Sequence, residues 1–248
     1  VIDGTGIFRS KKQMKRHLEA GANHVVLSTL PFDPIDRVVV MGVNDNTIKL
    51  SDRLVSAGSA TTNATAIMLK ILNETFGVDY AMLTTVHSYT SDQPLRDKAS
   101  NTFRRSRSAA ENIIPNITAS PEWIQYIMPE FKGRIDGSAL NVPVPNGSLL
   151  DLTTVLKKKN IDIEELNKAV EAYAQKYPEI IEVVEDPIVS TDVIGNTHSV
   201  VFDKMATLKT SGRMLKTLTW YHTALAQAAR IKDLIIAYHR MAEKGGAK

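Results

Sequence analysis

The 248 residues carry 30 basic and 27 acidic side chains, a net charge of +3, and are 43% hydrophobic and 23% charged, the balance of a globular protein with enough chain to bury a sizeable core in one or two domains. So slight a positive charge suits a phosphate-bearing ligand and gives no ground for a nucleic-acid partner, which would need a basic face. No apolar run approaches the roughly 18 residues of a membrane span, so no membrane partner is expected, and the absence of cysteine excludes disulfides and thiolate metal sites.

Val1 opens on an apolar strand already under way, with neither an initiator Met nor a signal peptide, so a segment upstream in the parent protein is expected. That strand runs into a glycine turn at Asp3-Gly4-Thr5-Gly6. Residues 11–20 read as a short basic helix capped by Gly21, residues 25–27 as the next strand and residues 37–41, RVVVM, as another. Alternating strand and helix marks a doubly wound parallel sheet, here only half present. Gly4-x-Gly6 is not a dinucleotide fingerprint by itself, because the third glycine would fall at Arg9 and no acid is placed for a ribose.

The chain is organised around residues 56–77, SAGSATTNATAIMLKILNETFG. Small and hydroxylated residues suit a tight turn and a helix start whose free N–H groups can hold an anion. Ile67, Met68, Ile71 and Leu72 then repeat on one face, and Gly77 supplies the stop. Residues 80–87 form a strand ending in His87. Residues 91–106 lack any sustained period and read as a long functional loop. A short helix is expected over residues 108–113, with Pro115 and Pro121 limiting structure around it. Residues 137–144 and 148–156 are strands on either side of the Pro145-Asn146-Gly147 turn. A helix over residues 163–177 ends at Pro178. Strands at residues 181–184, 199–202, 206–208 and 214–221 make an antiparallel sheet, an amphipathic helix fills residues 224–242, and residues 243–248 form a frayed tail. Lys157-Lys158-Lys159 is a solvated connection, and His198, His222 and His239 lack metal-site spacing.

Four segments resemble, in order and spacing, the phosphorylating glyceraldehyde-3-phosphate dehydrogenases: SATTNA at residues 59–64, TTVHSYT at 84–90, SAAENIIPN at 108–116 and NVPVPNGSLLDLT at 141–153. The resemblance covers nearly the whole chain. It implies an α/β plus α+β fold, in which a partial doubly wound, Rossmann-like half packs on a catalytic domain with a mainly antiparallel sheet. Residues 1–59 and 223–248 would be the remnant of the dinucleotide-binding domain with the C-terminal helix, and residues 60–222 the catalytic and oligomerisation domain. A cytoplasmic homotetramer is expected by the same resemblance, with NAD or NADP as cofactor and a phosphorylated aldehyde and inorganic phosphate as partners. The glycine-rich first turn and the ribose-binding acid would lie upstream of Val1.

In that family the residue at the position of Ala60 is the nucleophilic cysteine, which adds to the aldehyde so that hydride can leave; a histidine takes the proton. His87 matches that histidine, although a histidine at a strand end is by itself more often structural. Ser59, Thr61 and Thr62 resemble the residues that hold inorganic phosphate. Thr90 and Arg105 resemble the substrate-phosphate hydroxyl and the loop arginine, against a plainer reading in which Arg104, Arg105 and Arg107 form a solvated, partner-facing loop. Thr5, Gly6, Ser28 and Thr29 match strand ends beside the cofactor. Departures accumulate elsewhere. Asn141 stands where the family usually has arginine, and in WYHTALAQAAR at residues 220–230 Thr223 stands for the asparagine that holds the nicotinamide amide and Gln227 for a nearby tyrosine. Two readings follow: a dehydrogenase inactive in this form because Ala60 replaces the nucleophile, whether by deliberate substitution or natural loss, or a non-catalytic relative serving as a binding or assembly subunit.

Overall fold

The computed structural model describes residues 1–246. In chain order the elements are β1 (Ile2–Asp3), α1 (Lys11–Glu19), β2 (Val25–Leu27), β3 (Arg37–Val38), β4 (Leu54–Ser56), α2 (Ala60–Phe76), β5 (Val78–Ser88), β6 (Ile114–Asn116) and α3 (Ser120–Ile127). They continue as β7 (Ile135–Val142), β8 (Ser148–Leu156), α4 (Ile163–Lys176), β9 (Ile181–Val184), β10 (Val200–Asp203), β11 (Leu208–Lys209), β12 (Met214–Tyr221) and α5 (Thr223–Gly246). Among the described residues no helix is long and apolar enough to cross a membrane.

The organising helix forms as its sequence dictates. Ser59 is extended, and its hydroxyl accepts the Thr62 N–H at 3.2 Å, the cap that a helix start requires. At the other end Gly77 adopts φ 68°, a conformation costly for any residue with a Cβ. Between them α2 is buried almost all round, with Ala64, Ala66, Met68, Leu69, Ile71 and Leu72 fully inside. A helix without a polar face needs cover on every side. The covers are the larger sheet, through Leu83, Leu150 and Leu152, helix α3 through Ile124 and helix α4 through Leu166 and Val170.

Two sheets frame this helix. The smaller has strand order β1-β2-β4-β3, all parallel. Helix α5 packs its Leu234 and Tyr238 against Val26, Val39 and Val55 of that sheet and its flank. The larger, eight-stranded sheet has order β6-β7-β5-β8-β12-β10-β9, with β11 on β12. Only its β5–β7 and β9–β10 pairs are parallel, so it is mixed and mainly antiparallel. Its strands alternate: Ala81 and Leu83 face the core, while Tyr80 and Met82 point to solvent.

Several elements differ from the sequence reading. RVVVM gives only the two residues of β3, because the Asn44 side chain takes over the next backbone groups, donating to Val38 O and accepting from Val40 N–H. No helix forms at residues 108–113. There the Asp97 carboxylate accepts the Ser108 N–H and the Asn112 side chain takes the Ser108 carbonyl, holding the segment as a turn. Pro121 does not limit structure: it sits in the first turn of α3, where its missing N–H costs nothing. The strands on either side of Pro145-Asn146-Gly147 do not pair with each other, since β5 lies between them, parallel to β7 and antiparallel to β8. The expected strand at residues 206–208 shrinks to β11, because the Asp203 carboxylate accepts the Met205 and Ala206 N–H groups and winds Lys204–Ala206 into a helical turn. Helix α5 runs on through Glu243 to Gly246 where a frayed tail was expected; Ala247 and Lys248 lie outside the described residues.

Candidate active site

The end of the larger sheet at which β5 and β7 finish gathers the chemistry. The parallel register sets His87 at the end of β5 beside Asn141 at the end of β7, and the turn from β4 into α2 brings Ser59 and Thr61 to the same end. These four, with Thr29, Thr90 and Arg105, line a single cleft of about 250 Å³. Ala60 is buried at the helix start and does not line it. Thr62 is fully buried as well, its hydroxyl bonded to Ser59 and to Ser120 Oγ at 3.0 Å.

His87 has a defined tautomer. Its Nδ1 lies 2.6 Å from the Ser88 carbonyl oxygen, which can only accept, so the proton sits on Nδ1 and Nε2 is left with a free lone pair. Burial pushes its pKa below the ordinary 6.5; the positive Arg105 adds to this, while the Ser88 bond and Asp92 oppose it. The imidazole is therefore neutral at physiological pH, its Nε2 open to accept a proton. Linkage gives the sign: below pH 6.5 the unfolded chain gains a proton that folded His87 refuses, so this contribution is complete above pH 6.5 and is lost as pH falls toward the depressed folded value. A His87→Gln variant is expected to lose less stability than the parent between neutral pH and acid. Urea unfolding at a series of pH values measures this, and parallel pH profiles would refute it.

Beneath the cleft, Tyr221 is fully buried at the end of β12. Its hydroxyl lies 2.7 Å from Thr61 Oγ1 and 2.7 Å from Thr85 Oγ1, so it ties α2 to β5 under the site. Burial pushes the phenol up, keeping it neutral. A Tyr221→Phe change would leave two buried threonine hydroxyls short of a partner, an expected loss of about 1–3 kcal/mol. The readout is a lower urea midpoint with unchanged slope; an unshifted midpoint would show that the bridge contributes nothing.

The loop residues are bound to one another. Asp92 accepts from both the Thr90 hydroxyl and the Arg105 guanidinium. Burial works to raise its carboxyl, but those bonds and the Arg105 charge outweigh it and hold the group below the usual range. Thr90 and Arg105 are thus already answered by a carboxylate. Asn141 donates to the Ser88 carbonyl at 3.5 Å and accepts from Asn116 at 3.2 Å.

Of the remaining sequence-derived positions, four gather at the smaller sheet and Thr223 lies at the end of the larger one. Thr5 and Gly6 follow β1, and Ser28 and Thr29 follow β2, at the carboxyl ends of parallel strands where α/β folds hold ligands. Gly6 has φ 70° with nothing within 4 Å of a Cβ built on it, so the turn borders open space. Thr223 begins α5, its hydroxyl 2.9 Å from Ser148 Oγ. Gln227 joins this end of the sheet to α2, its side-chain N–H donating to Ser28 O and Gly58 O at 2.9 Å each. Sequence reasoning missed Arg9, Thr85, Asn116 and Thr118, all of which line the cleft. Arg9 carried a signal only as the residue where a third glycine was wanting.

Comparison with known proteins agrees with this geometry. Residues 59–223 match the family described as glyceraldehyde 3-phosphate dehydrogenase, C-terminal domain. The glyceraldehyde-3-phosphate dehydrogenase of Borreliella burgdorferi is 40% identical over 242 residues, covering 94% of this chain and 72% of its own length. Glyceraldehyde-3-phosphate dehydrogenase 1 of Bacillus subtilis is 39% identical over 247 residues, covering 99% of this chain and 72% of its own. The Priestia megaterium enzyme of the same name is 39% identical over 236 residues, covering 94% and 70%. A match spanning both the cleft-forming residues and the small parallel sheet leaves one conclusion: the chain belongs to the glyceraldehyde-3-phosphate dehydrogenase family.

Proposed function

We propose that this chain is a glyceraldehyde-3-phosphate dehydrogenase-type protein whose cleft binds a phosphorylated aldehyde and inorganic phosphate but does not turn them over. The observation that carries the reading is the convergence of Ser59, Thr61, His87, Thr90, Arg105 and Asn141 on one cleft. Hydroxyls, a neutral histidine and an arginine suit a phosphorylated carbonyl compound. In this assignment the start of α2 binds inorganic phosphate through Ser59, Thr61 and the neighbouring backbone, Thr90 and Arg105 exchange Asp92 for the substrate phosphate beside Asn141, and His87 Nε2 is the atom that would take a proton if a nucleophile were present. Ala60 offers no atom that can add to a carbonyl.

A nicotinamide cofactor, NAD or NADP, would supply the hydride acceptor when bound. Open space at Gly6 and the small side chains of Gly4, Ser28 and Thr29 at the carboxyl ends of β1 and β2 fit such a group. Thr223 would present its hydroxyl toward it, a weaker hold than the amide implied by the family pattern, while the Thr5 hydroxyl, bonded to Asp3, would shape the turn beside it. We assign residues 60–222 to catalysis and assembly, and residues 1–59 with α5 to the cofactor.

The second reading is a non-catalytic binding or assembly subunit that would use the free face of the larger sheet. There Tyr80, Met82, Thr153, Val155 and Met214 line a hollow of about 660 Å³. Self-association through this face, up to a cytoplasmic tetramer, is compatible with either reading. Installing cysteine at position 60 separates them: activity linked to NAD or NADP supports the disabled dehydrogenase, and a folded variant with an unreactive thiol supports the subunit.

A further inference from the structure

Arg9 stands apart from Arg105, the other arginine lining the cleft. It reaches the site from the smaller sheet, following the Gly6 turn, and lines the cleft with Asn141 and Arg105. Its Nε donates to the Leu30 carbonyl at 2.9 Å, and its guanidinium carbon lies 4.1 Å from the centre of the Phe32 ring. These two contacts hold the planar head in place. Among the described residues its terminal nitrogens make no hydrogen bond and no carboxylate pairs with it. Arg105, by contrast, is engaged by Asp92. Burial alone acts on Arg9, pulling its pKa down with no acid to offset it, and a half-buried charge left this way is one that an anion would stabilise.

We propose that Arg9 is a phosphate-binding residue of this cleft, supplying from the smaller sheet the cationic charge that Asn141 does not supply from the larger. The assignment rests on the anion-binding reading of the cleft and goes beyond it. The free N–H groups of a pre-held guanidinium match two phosphate oxygens. A phosphate gripped by Arg9 on one side and by the side-chain amide of Asn141 on the other bridges the two sheets.

Inorganic phosphate titrated into the whole chain by calorimetry at low ionic strength is the test, with thermal unfolding as the control for folding. Arg9→Gln is expected to weaken phosphate binding about 10- to 100-fold, the loss of a charge-assisted pair of hydrogen bonds. Adding Asn141→Arg to Arg9→Gln is expected to restore most of that loss, because the charge returns from the larger sheet. Should Arg9→Gln not fold, Arg9→Lys serves. It keeps the charge and loses the fork, for an expected weakening of roughly 3- to 10-fold. Equal phosphate affinity in the parent and in a folded Arg9 variant overturns the assignment while leaving the cleft an anion site. A parent chain that binds no phosphate overturns the anion-binding reading and this assignment with it.

Discussion

On the disabled-dehydrogenase reading, Ala60→Cys is expected to let the cleft oxidise glyceraldehyde 3-phosphate with NAD or NADP and phosphate, a gain on the order of 1,000-fold or more over the parent. The first helical position of α2 is where unpaired N–H groups and the helix dipole stabilise a thiolate, pulling a thiol below its usual value of about 8.5. With a thiol at position 60, His87, neutral and with Nε2 free, is expected to receive its proton and return it later. Alkylation by iodoacetamide reads the thiol directly and needs no cofactor. The introduced thiol is expected to react at neutral pH faster than a free one, and the additional change His87→Gln to slow turnover by about 100- to 10,000-fold, the span of a general base. A folded variant whose thiol reacts no faster than free cysteine, and which forms no reduced cofactor, sinks the disabled-dehydrogenase reading.

The largest loss of stability is expected at Gly147. Its φ of 79° is a left-handed conformation, and a Cβ there would lie 1.9 Å from the Ser190 carbonyl oxygen. Neither partner can yield, because both are main chain, so Gly147→Ala is expected to cost about 3–5 kcal/mol. Gly133 separates the two components. It has φ 70° but nothing within 4 Å of the added carbon, and Gly133→Ala should cost only the backbone strain, about 1–2 kcal/mol. Urea midpoints of the two variants decide it; equal losses would mean that the Ser190 backbone does not cross Gly147 so closely. The effect reaches the site because Ser148, the next residue, accepts the Ser88 N–H and bonds Thr223.

How far the sequence could be read depended on how local each signal is. Helix α2 was legible because cap, apolar face and stop all lie within residues 59–77. Strand β5 and its His87 were legible from an apolar run and a motif. Pairing was not: Pro145-Asn146-Gly147 looks like a hairpin turn, yet a turn constrains only its own residues, and β5 takes the place between the strands it joins. Residues 108–113 failed for a related reason, since the groups that hold them belong to Leu95 and Asp97 in the preceding loop. The site divided the same way. His87, Thr90 and Arg105 were readable from motifs within the larger sheet and its loop, whereas Arg9 enters from a different sheet and only packing brings it to the cleft.

The central place of β5 also governs how the chain can assemble during synthesis. Both strands that flank it, β7 and β8, come later in the sequence, so the ribosome releases Val78–Ser88 and the apolar α2 well before either can be covered. Closing those long loops must precede any reward from pairing, which makes the middle of the sheet a late and slow event in folding. Until then the segment that ends in His87 is an open edge beside an uncovered helix, the species from which misassociation starts and which a chaperone would be expected to hold.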